Sequence, residues 1–180
     1  MERSLTHIAL FAALIAVLGL VPRLDLATGV PVTAQSLGIM LCGTVLGAKR
    51  GALAVLLFLL LVALGLPLLS GGRGGLGVFV GPTVGFLIGF PIAAFVAGWV
   101  MERTTLAPVW AAGAGAVIGG IGVLYPFGIL GMSVVLDKTL PEAALLALVF
   151  LPGDILKAAL AGLVTQAIAR ARPAALLSRA

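Results

Sequence analysis

Residues 51–69 read GALAVLLFLLLVALGLPLL and residues 78–101 read VFVGPTVGFLIGFPIAAFVAGWVM, with no charged side chain in either run. Each is close to the roughly 20 apolar residues that a helix needs to cross a hydrocarbon layer about 30 Å thick. Away from water, a chain must pair every backbone N–H and C=O internally, which leaves helices or closed barrels. Barrel strands alternate apolar and polar residues over short segments. These runs do not alternate, so they are helices. Composition agrees: 62% of residues are hydrophobic, 9% are charged and the mean hydropathy is +1.28. A soluble domain carries roughly 25% charged residues, so the solvent of this fold is lipid.

The chain of 180 residues has room for six spans in one domain, residues 1–180, and no soluble domain beside them. Proline and polar residues divide it into an all-α bundle with helices expected at 4–21, 34–47, 51–66, 79–101, 107–130 and 141–170. The second is short for a crossing and is expected to be tilted or partly re-entrant. The first apolar run follows Arg3 like a signal peptide, but many spans follow it, so it reads as a retained helix. With both termini inside, Arg3, Lys49, Arg50, Arg103, Arg170, Arg172 and Arg179 lie on the inner face. Arg23, Arg73 and Lys138 lie outside and Lys157 within a span. The positive-inside bias therefore favours cytoplasmic termini. The net charge of +5 comes without a basic patch interleaved with aromatics, so anionic headgroups account for it and nucleic acid does not.

Small residues mark close helix packing. Gly81, Gly85, Gly89, Ala93 and Ala97 form one stripe; Ala111, Gly115 and Gly119 form another. Ordinary packing inside the bundle is the expectation for both. Ala9 and Ala13, beside Ala12 and Ala16, form a similar face on the terminal helix, which is freer to meet another subunit.

Three places carry chemistry. Asp154 and Lys157 share a helix face at i,i+3 spacing inside an apolar stretch, where an ionised group costs several kcal/mol unless it is paired or meets a cavity. Pro152 and Gly153 precede them and predict a bend. A self-satisfied pair stitching the bundle is the bland alternative. A kink and a charge pair together cost stability that a scaffold avoids, which favours a ligand site. The loop Ser70-Gly71-Gly72-Arg73-Gly74-Gly75-Leu76-Gly77 satisfies G-x-G-x-x-G literally, yet it follows an apolar span and lacks the acidic residue of a dinucleotide site. It reads as a mobile lid that brings Arg73 and Gly75 to an anion, or as a plain linker. Third, Pro31 fixes an extended approach after which Thr33, Gln35 and Ser36 can cap the second helix; Gln35 also offers a donor and an acceptor at the outer rim.

Other chemistries lack their residues. No Lys follows a Gly, so there is no Walker A phosphate loop, and neither H-E-x-x-H nor G-x-S-x-G occurs. The single Cys42 lies in an apolar run and His7 has no partner at metal-ligand spacing. The expectation is no enzyme, no cofactor and no metal.

At Val30-Pro31-Val32-Thr33-Ala34-Gln35, Gly65-Leu66-Pro67, the glycine loop, Gly81-Pro82-Thr83 with Gly85 and Gly89-Phe90-Pro91, and Pro152-Gly153-Asp154 with Lys157, the sequence resembles the BioY family. These are the biotin-specific substrate-binding subunits (S components) of energy-coupling factor transporters. The resemblance covers most of the chain. It implies a six-helix bundle in the bacterial cytoplasmic membrane with a vitamin pocket near the outer face. It implies a transmembrane coupling subunit and two ATPase subunits as partners, with Ala9 and Ala13 meeting the coupling subunit. Biotin is then the transported ligand. Asp154 can accept from the ureido N–H groups, Lys157 can donate to the ureido oxygen and Arg73 can pair with the carboxylate; the two cations can also exchange roles. Val84 and Phe86 depart from the family's usual Gly and Tyr, so Phe86 has no polar role. The alternative class is a self-sufficient secondary transporter or facilitator, alone or as an oligomer, for which one charge pair offers no coupling-ion relay.

Overall fold

The computed structural model describes residues 2–22 and 33–179. Arg23, Val30, Pro31 and Val32, and the side chain of Arg3, lie outside the described residues. Helix α1 spans Glu2–Leu18, α2 Gln35–Leu46, α3 Ala48–Ala63 and α4 Val84–Arg103. Helix α5, Pro108–Val117, continues through a π-helical segment, Ile118–Val123, into α6, Leu124–Val135. Helices α7, Leu140–Leu148, and α8, Leu151–Ala171, complete the bundle, followed by two 3-10 turns. Among the described residues the only β pairing is an isolated bridge between Leu69 and Arg73.

Helices break where the backbone demands it. Gly47, at φ +87°, separates α2 from α3, so Lys49 and Arg50 sit in the first turn of α3 and not before it. The fourth helix starts at Val84, five residues later than expected, because residues 76–79 form a 3-10 turn ahead of Gly81-Pro82. The fifth runs on to Val135, its glycine-rich centre IGGIGV widening into the π segment. The expected sixth helix is two helices. Proline cannot donate into the preceding turn and disfavours helical backbone before it, and Pro152 accordingly stands in the first turn of a new helix. The bend expected at Pro152-Gly153 is present as this break. It moves Asp154 from mid-helix to the first turn of α8, where the helix dipole favours a carboxylate.

Among the described residues three helical stretches are long and apolar enough to cross a membrane: Val84–Arg103, Pro108–Val135 and Leu151–Ala171. Helices α1, α2 and α3 have 17, 12 and 16 residues, below the roughly 20 of an upright crossing. Large apolar side chains face outward all round, among them Leu53, Leu130, Leu145 and Trp110, while Phe58, Ile39, Met40, Met101 and Met132 fill the interior. Near the C-terminal ends of α2 and α8 the buried hydroxyls of Thr44 and Thr165 meet at 3.0 Å, joining the two helices without a charge.

The small-residue stripes pack inside the bundle as expected from Gly85 onward, while Gly81 lies before α4 in open space. Gly85 of α4 lies against the backbone of Phe127 and Gly131 in α6, while Ala93 and Ala97 meet Gly119 and Gly115. A side chain has no room at Gly85, whereas a Cβ at Gly81 would meet nothing within 4 Å. Ala9 and Ala13 differ: both are exposed, while Ala12 turns inward. Overpacking of this kind typically costs about 1–3 kcal/mol. Gly85→Leu is therefore expected to lower the thermal midpoint in detergent clearly and Gly81→Ala to leave it unchanged; equal midpoints would mean that α4 and α6 do not meet there.

Candidate ligand-binding site

The first turns of α2, α4 and α8 converge at one end of the bundle, where the segment joining α3 to α4 folds over them. They enclose a cavity of about 70 Å³, its floor carrying Ser36, Asp154 and Lys157 and its walls Phe86, Phe90 and Phe150. Phe86 and Phe150 stack edge to face, 5.9 Å between centroids at 74°, an arrangement that aromatic rings favour. Phe86 is thus an apolar wall of the cavity.

The polar floor is a closed triangle with one arm. Lys157 Nζ donates to Asp154 Oδ1 at 2.9 Å and to Ser36 Oγ at 2.9 Å, and Ser36 Oγ donates to the same Oδ1 at 3.0 Å. Tyr125, from the start of α6, donates its hydroxyl to Asp154 Oδ2 at 3.0 Å. The side chains of Lys157 and Asp154 retain 15% and 7% of their surface, so the pair is open to the cavity and not sealed from it. A carboxylate has about four acceptor positions and an ammonium three donors. Three acceptors and two donors are engaged, which leaves Asp154 able to accept one more hydrogen bond and Lys157 able to donate one. A guest with an N–H beside a carbonyl fits that remainder.

Gln35 is held differently from expectation. Its Nε2 donates to Ile15 O and Leu68 O, both at 3.1 Å, and its Oε1 accepts from Ser70 N at 3.0 Å. With both amide protons engaged and 2% of its surface exposed, it ties α1 and the α3–α4 segment to α2 and has no N–H left for a guest. Thr33 Oγ1 accepts the N–H of Gln35 at 3.2 Å, a local turn bond from the residue before the N-cap, while Ala34 occupies the N-cap itself without a side-chain bond. Ser36 does not cap; it joins the charged cluster.

Arg73 reaches the cavity wall from a tight hairpin. Leu69 and Arg73 exchange backbone hydrogen bonds of 3.0 and 3.2 Å around Gly71 and Gly72, whose φ values of +79° and +69° favour glycine. The Arg73 Nε donates to Ser70 O at 3.3 Å. Gly75 is not on the wall; its N–H donates to Val62 O at 2.8 Å. The cavity therefore unites Thr33, Gln35, Arg73, Asp154 and Lys157 and leaves Gly75 behind it. Ser36 and Tyr125 were missed as site residues. The sole tyrosine of a chain otherwise poor in hydroxyls, set in an apolar helix before Pro126, was a signal for the second.

The sequence profile of the BioY family matches residues 2–174. The chain belongs to the BioY family. This BioY-family chain is 56% identical to the biotin transporter BioY of Rhodobacter capsulatus, over 99% of its own length and 100% of the relative's. It is 49% identical to the biotin transporter BioY of Rhizobium etli, covering 92% of each. A crystal structure of the S-component for biotin from an ECF-type ABC transporter superposes with a TM-score of 0.88 at 31% identity, covering 94% of this chain and 92% of that one. Relatives named as transporters and apolar helices together make this BioY-family chain a multi-pass membrane protein.

Replacing Gln35 by Leu takes the amide partner from the Ser70 N–H and the Leu68 carbonyl, each worth about 1 kcal/mol as a net hydrogen bond, while the Ile15 carbonyl keeps the Gly19 N–H at 3.2 Å. Hydrogen exchange of residues 68–75 in Gln35→Leu is expected to accelerate at least roughly tenfold while α4 stays protected; unchanged exchange would show that the amide does not hold the segment.

Proposed function

We propose that the chain is the biotin-capturing membrane subunit of an ATP-driven vitamin transporter of the bacterial cytoplasmic membrane, with residues 1–180 forming one substrate-binding unit. The observation that carries this reading is the floor of the cavity. One acceptor on Asp154 and one donor on Lys157 remain, and the ureido edge of biotin presents an N–H beside a carbonyl. Asp154 accepts from the ureido nitrogen, Lys157 donates to the ureido oxygen and Phe86, Phe90 and Phe150 enclose the bicyclic body, the usual union of apolar walls with few polar groups. Arg73 pairs with the valerate carboxylate, bidentately where geometry allows. Thr33 and Gln35 shape the rim and hold it, and Gly75 gives the hairpin its hinge. Family membership and the names of the relatives support the choice of biotin.

The cavity of about 70 Å³ is small beside the roughly 300–1,000 Å³ of pockets for drug-sized ligands. Biotin therefore enlarges it, and the wall that yields is the glycine hairpin carrying Arg73. Six spans with both termini cytoplasmic fit the charge distribution, the short helices α1 to α3 being accommodated by bilayer thinning around them. The exposed face of Ala9 and Ala13 meets a transmembrane coupling subunit, and two ATPase subunits supply the energy that this chain, lacking a phosphate loop, does not. Capture occurs at the outer face and release follows reorientation of the bundle.

Charge-assisted hydrogen bonds are worth about 1.5–3 kcal/mol, so Asp154→Asn is expected to weaken labelled-biotin binding to the purified chain roughly 10- to 100-fold while monodispersity in detergent is kept. Wild-type affinity in that variant would remove Asp154 from the site.

A further inference from the structure

The opposite end of the bundle carries a second concavity. A cavity of about 500 Å³ lies where α3 begins and α4 ends, lined by Lys49, Arg50, Phe95, Trp99, Glu102 and Arg103 among others. Lys49 and Arg103 are exposed and, among the described residues, form no hydrogen bond or ion pair. Arg103 stands 5.7 Å from the ring of Trp99, within the range of a cation–π contact. Arg50 is anchored, its Nε donating to Ser4 Oγ at 3.2 Å and its Nη1 to Leu177 O at 3.4 Å. Glu102 is engaged as well: its Oε1 accepts the N–H of Ala48 at 2.8 Å. Two cations thus face a concavity whose single carboxylate already serves the N-terminus of α3.

From this cavity two apolar stripes run along neighbouring helices. On α3 the exposed residues after Lys49 are Leu53, Leu56 and Leu60; on α4, reading back from Arg103, they are Trp99, Phe95, Ile92 and Ile88. The spacing of three and four places each set on one face. Because Lys49 opens α3 and Arg103 closes α4, the helices run antiparallel and both stripes begin at the cations. A cationic concavity continuous with two aliphatic tracks has the shape and polarity of a phospholipid with a negative headgroup.

We infer that this cleft binds an anionic phospholipid, with Lys49 and Arg103 holding the phosphate, Trp99 at the glycerol level and the acyl chains along the α3 and α4 stripes. A soluble anion would use the cations but not the tracks; a zwitterionic lipid would use the tracks but gain little from the cations. Basic pockets between helices at a membrane surface recognise headgroups in this way, at about a fivefold gain in affinity for each cation.

Native mass spectrometry of the full chain, titrated with phosphatidylglycerol or phosphatidylcholine of the same acyl chains, tests this. Phosphatidylglycerol is expected to be retained in preference, and the double substitution Lys49→Gln, Arg103→Gln is expected to lower its affinity roughly 30-fold, with helicity and monodispersity kept as the check on folding. Equal retention of the two lipids, or undiminished phosphatidylglycerol binding by the double variant, would overturn the assignment. So would displacement of the lipid by glycerol phosphate at equal concentration, which would mark a soluble-anion site, or retention only when a partner protein is bound. Should the double variant not fold, the wild-type preference is expected to fall as salt rises; a salt-independent preference would refute it.

Discussion

An acid and an amine one helical turn apart are held beneath a lipid-facing surface, and the arrangement of this bundle around them follows from their cost. An isolated charge in a membrane span costs several kcal/mol, so neither Asp154 nor Lys157 can stand alone. Their mutual 2.9 Å contact removes most of that cost, and the start of α8 lowers it further by aligning a helix dipole with the carboxylate. Yet the pair is not closed upon itself. Ser36 from α2 and Tyr125 from α6 complete it, so four side chains from three helices meet at one carboxylate. The network keeps both charges paired while one acceptor position on Asp154 and one donor on Lys157 stay open to the cavity.

The rest of the molecule holds that floor in place beneath the segment joining α3 to α4. Gly85 and Gly131 bring α4 and α6 into backbone contact, fixing Tyr125 relative to the phenylalanine wall. Gln35 ties the α3–α4 segment to α1 and α2 through three hydrogen bonds. Within that tethered segment, the hairpin from Leu69 to Arg73 turns on two glycines with positive φ and carries the guanidinium to the cavity wall.

Much of this was legible in the sequence because lipid imposes simple rules. Uninterrupted apolar runs could only be helices, and the intramembrane Asp154 and Lys157 were conspicuous against 9% charged residues. Small-residue spacing correctly put the α4 and α5 stripes inside the bundle. What escaped depended on through-space partners. Ser36 stands in the first turn of α2, where a small hydroxyl reads as a cap, but its hydroxyl meets a residue 118 positions away. Tyr125 lies in a helix with no other polar side chain near it, and only the fold brings it to Asp154. Gln35 looked like a rim donor because sequence does not reveal that carbonyls of Ile15 and Leu68 claim its protons. The division of the last helix was half legible: Pro152 announced a bend, while the full break, which puts Asp154 in the first turn of α8, shows only in the fold.

A structure of the purified chain with biotin bound would decide whether the charged floor is the binding floor. The account predicts the ureido ring above Asp154 and Lys157, within hydrogen-bond distance of both, with the Tyr125 bond to the carboxylate intact and the Arg73 hairpin displaced outward. Biotin located elsewhere, with the Asp154–Lys157–Ser36 triangle unchanged from the ligand-free arrangement, would contradict it.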